Sequence, residues 1–148
     1  MLGYNYRMTD IQAAIGRVQL QRLPDIVSAR RRIANLYRDA LVDLPGVDPL
    51  PEPAWARSNW QSYIVGLPDG VDQRRVMQGM LDRGVATRRG IMCAHREQPY
   101  ARPDGYRLPV SEAAQDHHII LPLHTEMVED DVNYVVGTIR HVCESLGG

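Results

Sequence analysis

The sequence predicts an α+β fold: a small sheet of about three strands with helices mainly on one face, preceded by two N-terminal helices. Three observations carry this. Apolar residues recur at helical spacing near both ends of the chain. Two short β-prone runs, "WQSYIVGL" and "HHIILPL", are separated by a helical pattern and bounded by turn residues. At 148 residues the chain has the size of one ordinary domain.

The elements follow in order. Thr9-Asp-Ile-Gln12 reads as a capping box, in which a Thr hydroxyl and a Gln side chain satisfy each other's backbone donors. Ile11, Ile15 and Val18 then recur on one face, with Ala13, Ala14 and Gly16 permitting close approach of a neighbour. Pro24 suits the first turn of a second helix, which would turn Ile26, Ile33, Tyr37 and Leu41 inward and Arg30, Arg31 and Arg32 outward. "DLPGVDPLPEPAWARSN" reads as a surface connection because of its prolines and glycine. After the first strand, Asp72 caps a helix with Val76, Met77, Met80 and Leu81 inward, and Gly84 ends it. "VATRRGIMCAH" resumes an extended path, and a short helix from about Pro109 to Asp116 leads into the second good strand. The final helix, from about Glu129, places Val132, Val135, Val136, Ile139 and Val142 on one face and three acids in its first turn.

Composition narrows the function. A formal net charge of -1 provides no overall field for nucleic acid or an anionic membrane. All 17 basic residues are arginine, so no lysine amine is available for Schiff-base chemistry. Cys93 and Cys143 are isolated and imply neither a disulfide framework nor a zinc site. No apolar run approaches the ~20 residues of a membrane helix and the N-terminus does not read as a signal peptide, so a cytoplasmic protein is expected.

Two clusters could carry chemistry. In "GYNYRM", Asn5 and Arg7 precede a helix start, where unpaired amides favour anions and a guanidinium matches phosphate; the alternative is a loop that docks the helix. In "TRRGIMCAHREQPY", Arg88, His95 and Tyr100 lie on or just after a strand, where His95 could titrate and Arg88 could hold an anion. A hydrogen-bonded structural histidine is the competing reading. His117 and His118, read as adjacent strand residues, face opposite ways, and neither they nor His124 have ligand-spaced partners for a metal. No self-sufficient active site emerges.

"GYNYRMTDIQAAIGRVQLQRL", the following "RRRIANLY", and later "WQSYIV", "LDRGVATRRGIMCAH", "QPY", "LPVSEAA" and "ILPLHTEMVEDDVNYVV" resemble the DegT/DnrJ/EryC1/StrS sugar aminotransferases. The resemblance covers nearly the whole chain in the family's order. It implies a fold-type-I, pyridoxal-phosphate-dependent transaminase acting on nucleotide-linked 4-keto-6-deoxy sugars, usually as a homodimer. It also implies that residues 1–148 are the small C-terminal domain, with 1–44 as interdomain and interface helices, and that the large domain bearing the cofactor and its lysine is absent. Asn5 would then reach the neighbouring subunit's cofactor phosphate with Arg7 as helper, while Arg88, His95 and Tyr100 would lie near the substrate entrance. Alone, such a chain is expected not to transaminate. The alternatives are an oligomerisation or sugar-nucleotide-binding module, one half of a split enzyme completed by a separately encoded cofactor domain, or a gene remnant. Self-association is expected through residues 8–23. Val128 stands where the family usually has Thr or Ser before the last helix; such a lost cap costs roughly 1 kcal/mol.

Overall fold

The structure is a computed structural model that describes residues 6–100 and 105–147. Its elements are α1 (Asp10–Leu41), β1 (Asp48–Pro49), β2 (Tyr63–Gly66), α2 (Gln73–Leu81), β3 (Arg88–Arg89), two 3₁₀ turns (Ala94–Arg96 and Gln98–Tyr100), α3 (Pro109–His117), β4 (His118–Leu121) and α4 (Glu129–Leu146). The four strands form one antiparallel sheet in the order β1-β2-β4-β3, with Tyr63 opposite Leu121 and Val65 opposite Ile119. The strand period of two turns these four side chains to one face, where they join residues of α1, α2 and α4 in a single core. The α+β class and the predominance of helices on one face therefore hold.

Two N-terminal helices were expected, and one is found. The chain runs from Asp10 to Leu41 without a break, and Pro24 lies inside. An interior proline forfeits one helical hydrogen bond and crowds the carbonyl four residues earlier. Here that carbonyl belongs to Leu20, on an exposed turn open to water. Both flanks are pinned. The capping box forms at Thr9 and Gln12, while Ile33, Tyr37 and Leu41 are buried in the core. The arginine run is not simply solvated, as expected, but ties loops to the helix. Arg30 donates to the Trp60 carbonyl (3.4 Å), Arg31 to Ser58 (2.9 Å) and Arg32 to Met127 (2.9 Å).

A fourth strand arises from the segment read as a surface connection. Pro49 lacks an amide proton and suits the sheet edge it occupies. The same segment sends Leu44 and Val47 into the core, so it is partly a core element after all. Helix α2 follows expectation at its ends: the Asp72 carboxylate accepts from the Arg75 N–H (2.8 Å), and Gly84 turns with φ +77°. Leu81, expected inside, is 54% exposed. Helix α4 buries all five expected residues. Val128 offers no side-chain cap, yet its N–H is satisfied by the Asp131 carboxylate (2.9 Å), which recovers half of the missing arrangement.

The N-terminal half of α1 stands away from this core. From Met8 to Leu23, Met8, Ile11, Ile15, Val18, Leu20 and Leu23 are all exposed, Ile11 by 75%. Among the described residues no helix is long and apolar enough to cross a membrane.

Candidate functional site

Strand β3 ends at Arg89, and the Gly90 N–H donates to the His118 carbonyl (2.9 Å). A Cβ on Gly90 would lie 2.8 Å from the His118 Cβ, so only glycine permits this approach. The chain then leaves the sheet and folds into the first 3₁₀ turn. Cys93 anchors it: its N–H donates to Gln115 Oε1 (2.6 Å) and its thiol to the Ser111 carbonyl (3.1 Å). Gln115 is one of two buried polar side chains among the described residues, and this bond accounts for its burial.

Between this turn and the start of α3 lies an open cleft of about 640 Å³, lined by Ile91, Met92, Cys93, Ala94, His95, Pro99, Tyr100, Tyr106, Leu108 and Ser111. Most of its lining residues are apolar or aromatic, while polar and apolar atoms share its surface almost evenly. His95 is held in its wall, with 10% of its side chain exposed and Nε2 3.0 Å from Glu112 Oε1. Glu112 also accepts from the Leu108 N–H (2.9 Å) and pairs with Arg96 (3.3 Å). These contacts, led by the Leu108 N–H, then the His95 bond and then the Arg96 charge, hold the Glu112 carboxyl below the usual carboxylate range. Arg96 makes two further bonds to Asp116 (2.8 and 2.9 Å), which with Glu112 hold its guanidinium firmly protonated.

The structure brings together two of the three residues expected near a substrate entrance. His95 and Tyr100 both line the cleft. Arg88 is exposed on the edge strand β3, paired in register with Ile120, and does not line it. Arg7 is exposed ahead of the Thr9 cap, and Asn5 lies outside the described residues. His117 ends α3 rather than lying on a strand beside His118. The sequence reading missed Glu112, Tyr106 and Ser111. For Glu112 a signal existed: it lies four residues beyond Leu108 and three beyond Pro109, where a helix-starting acid is expected.

The described residues do not by themselves make a site for pyridoxal phosphate. The chain has no lysine, the cleft lining among the described residues includes no arginine, and Arg96, next to His95, is committed to Asp116 and Glu112. Among the described residues, the buried polar atoms left without a partner, Arg30 Nε, Thr87 Oγ1 and His118 Nδ1, belong to residues outside the cleft lining.

Known proteins supply the context. Solved structures similar to this chain include the aminotransferase TlmJ from Streptoalloteichus hindustanus, with a TM-score of 0.88 and 32% identity over 100% of this chain and 40% of that one. Spr1654 from Streptococcus pneumoniae in its PMP form matches with a TM-score of 0.85 and 26% identity, covering 95% of this chain and 36% of that one. DesI, solved in the presence of its TDP-sugar product, matches with 0.85 and 29% identity, covering 95% and 37%. The chain thus spans about two fifths of the length of these proteins. The sequence profile of the DegT/DnrJ/EryC1/StrS aminotransferase family matches residues 1–140. With the fold and most of its length matched, the chain belongs to the DegT/DnrJ/EryC1/StrS aminotransferase family.

Proposed function

We propose that this chain is the small C-terminal domain of a pyridoxal-phosphate-dependent nucleotide-sugar aminotransferase and that it is inactive alone. One observation carries the reading: a family fold spanning about 40% of a relative's length contains no lysine at all. Amino transfer to a keto sugar needs an amine that condenses with the cofactor and then relays a proton. That amine would reside on other polypeptide, and this chain would furnish supporting contacts. Asn5, helped by Arg7, would approach the cofactor phosphate of a neighbouring subunit. The cleft holding His95 and Tyr100 would border the sugar-nucleotide entrance, and Arg88 would approach that entrance from strand β3 without lining the cleft. DesI, solved in the presence of its TDP-sugar product, supports this substrate class.

A second reading is favoured by the exposed apolar half of α1. Here the chain is a non-catalytic oligomerisation or sugar-nucleotide-binding module, or one half of a split enzyme.

The test is to incubate the purified chain with pyridoxal phosphate, glutamate and a 4-keto-6-deoxy sugar nucleotide. The expected result is no borohydride-trapped pyridoxyl adduct and no amino sugar. Adding a lysine-bearing cofactor domain of the family should restore turnover if the chain is one half of an enzyme. Turnover by the chain alone would overturn the proposal.

A further inference from the structure

Glu112 makes more contacts than the start of a helix requires. Its carboxylate touches three groups from two segments: the Leu108 N–H, His95 Nε2 and the Arg96 guanidinium. It thereby joins the turn at Ala94–Arg96 to the first turn of α3. An ionised carboxylate can only accept hydrogen bonds. The bond at 3.0 Å therefore requires the proton on His95 Nε2. Arg96 is in turn fixed by Asp116, so Glu112 cannot swing away with its cationic partner. The His95 ring, only 10% exposed, is consequently constrained in both orientation and tautomer where it meets the cleft.

We propose that Glu112 is the positioning residue of this cleft, fixing the His95 imidazole with its proton on Nε2 so that a sugar nucleotide meets a single ring orientation and a single tautomer. The proposal rests on the reading above that the cleft borders the substrate entrance. Glu112 itself acts through His95. Its substitution by an amide of the same shape should therefore be felt at the ring before it is felt in the fold.

The experiment uses the full chain and its Glu112→Gln and Glu112→Asp variants, with imidazole nitrogens observed by NMR and His95 assigned through His95→Gln. An amide can accept or donate, so it no longer dictates which ring nitrogen carries the proton. Wild type should show His95 as the Nε2–H tautomer once the ring is neutral. Glu112→Gln should mix the two tautomers without altering the far-ultraviolet circular dichroism, and Glu112→Asp should retain the wild-type tautomer. Equal tautomer populations in wild type and Glu112→Gln would overturn the proposal; a merely structural carboxylate would give that result. A second arm titrates thymidine diphosphate glucose. Tyr100, Tyr106 and His95 signals should shift in wild type, with about tenfold weaker affinity in Glu112→Gln, the size of one lost hydrogen bond. If wild-type signals do not move, the cleft's assignment to substrate fails, while the tautomer comparison still decides the role of Glu112.

Discussion

The exposed half of α1 yields the sharpest prediction. At about 100° per residue, Ile11, Ile15 and Val18 fall within about 60° of one another, and Leu20 and Leu23 are centred roughly 140° further round the helix. A helix apolar over so much of its circumference is stable only when enclosed. These side chains are 47–75% exposed in the structure. Full burial of such a residue is worth about 1.5–3 kcal/mol, so covering the exposed part of Ile11, Ile15 and Val18 would stabilise by about 3–6 kcal/mol. At 1.4 kcal/mol per tenfold, replacing all three with Gln should weaken self-association by roughly a hundredfold or more. Gln is a good helix former, so the helix itself should persist. Sedimentation velocity over a wide concentration range reads the outcome, and circular dichroism checks the helix. A Leu20→Gln/Leu23→Gln variant tests the other set separately. Strictly monomeric wild type at the highest concentration, or an unchanged association constant in the triple variant, would refute the reasoning.

Three further outcomes follow from the core and the cleft. Tyr37 donates to the Pro122 carbonyl (2.7 Å) and stacks on Tyr63 at 4.8 Å, so Tyr37→Phe should cost about 1–2 kcal/mol in urea unfolding at neutral pH. Burial pushes the Tyr63 hydroxyl up to about 12 from its ordinary 10, and raises Tyr37 as well. The folded state thus binds more protons than the unfolded one in that window. Stability should fall between about pH 10 and 12, by about 2 kcal/mol for Tyr63, and Tyr63→Phe should flatten that limb. At the acid end the sign reverses. Glu112 is held below its ordinary range, so its contribution is present above about pH 4.3 and disappears as pH falls further, a dependence that Glu112→Gln should remove from acid-unfolding curves. Finally, Gly90→Ala places a methyl 2.8 Å from the His118 Cβ and 3.1 Å from its carbonyl oxygen. It should cost about 1–3 kcal/mol in thermal unfolding and shift the NMR signals of residues 91–96.

Strongly periodic segments were legible from sequence because their spacing and their burial have one cause. Val132, Val135, Val136, Ile139 and Val142 lie where the period of α4 puts them, and Ile33, Tyr37 and Leu41 do likewise in α1. The caps at Thr9 and Asp72 were readable because they depend on neighbours three residues away. Features set by distant groups were not. The continuity of α1 through Pro24 depends on core packing and on arginine contacts reaching residues 58–60 and 127. Strand β1 exists because Leu50 and its neighbours find the edge of β2, with the Leu50 N–H donating to Ile64 (3.3 Å). Trp60, at φ +50°, adopts a conformation that no local rule assigns to tryptophan; its carbonyl accepts from Arg30 and its ring lies 5.3 Å from Tyr63. In the cleft, His95 and Tyr100 were suggested by their place after a strand. Glu112 could be read only as a helix-starting acid; its link to His95 became visible when folding brought it 3.0 Å from a residue 17 positions away.

The disagreement between pattern and exposure at residues 8–23 is itself informative. Across α4 and the second half of α1, apolar residues at helical spacing are buried, so the sequence encodes burial faithfully there. In the first half the same encoding meets solvent. A surface helix shaped only by solubility would carry polar side chains at these positions, since none of them is part of the buried core. Their spread over more than half of the helix circumference points to more than one neighbour. A single docking surface would leave either Ile11, Ile15 and Val18 or Leu20 and Leu23 exposed. In a protein about two and a half times longer, as its relatives are, another domain and another subunit would supply two such surfaces. If so, the two sets of Gln substitutions should differ in a reconstituted enzyme: one should weaken docking of the cofactor domain and the other subunit association. Equal effects of both sets on both equilibria would show that α1 meets a single partner, and the two-sided assignment would be wrong.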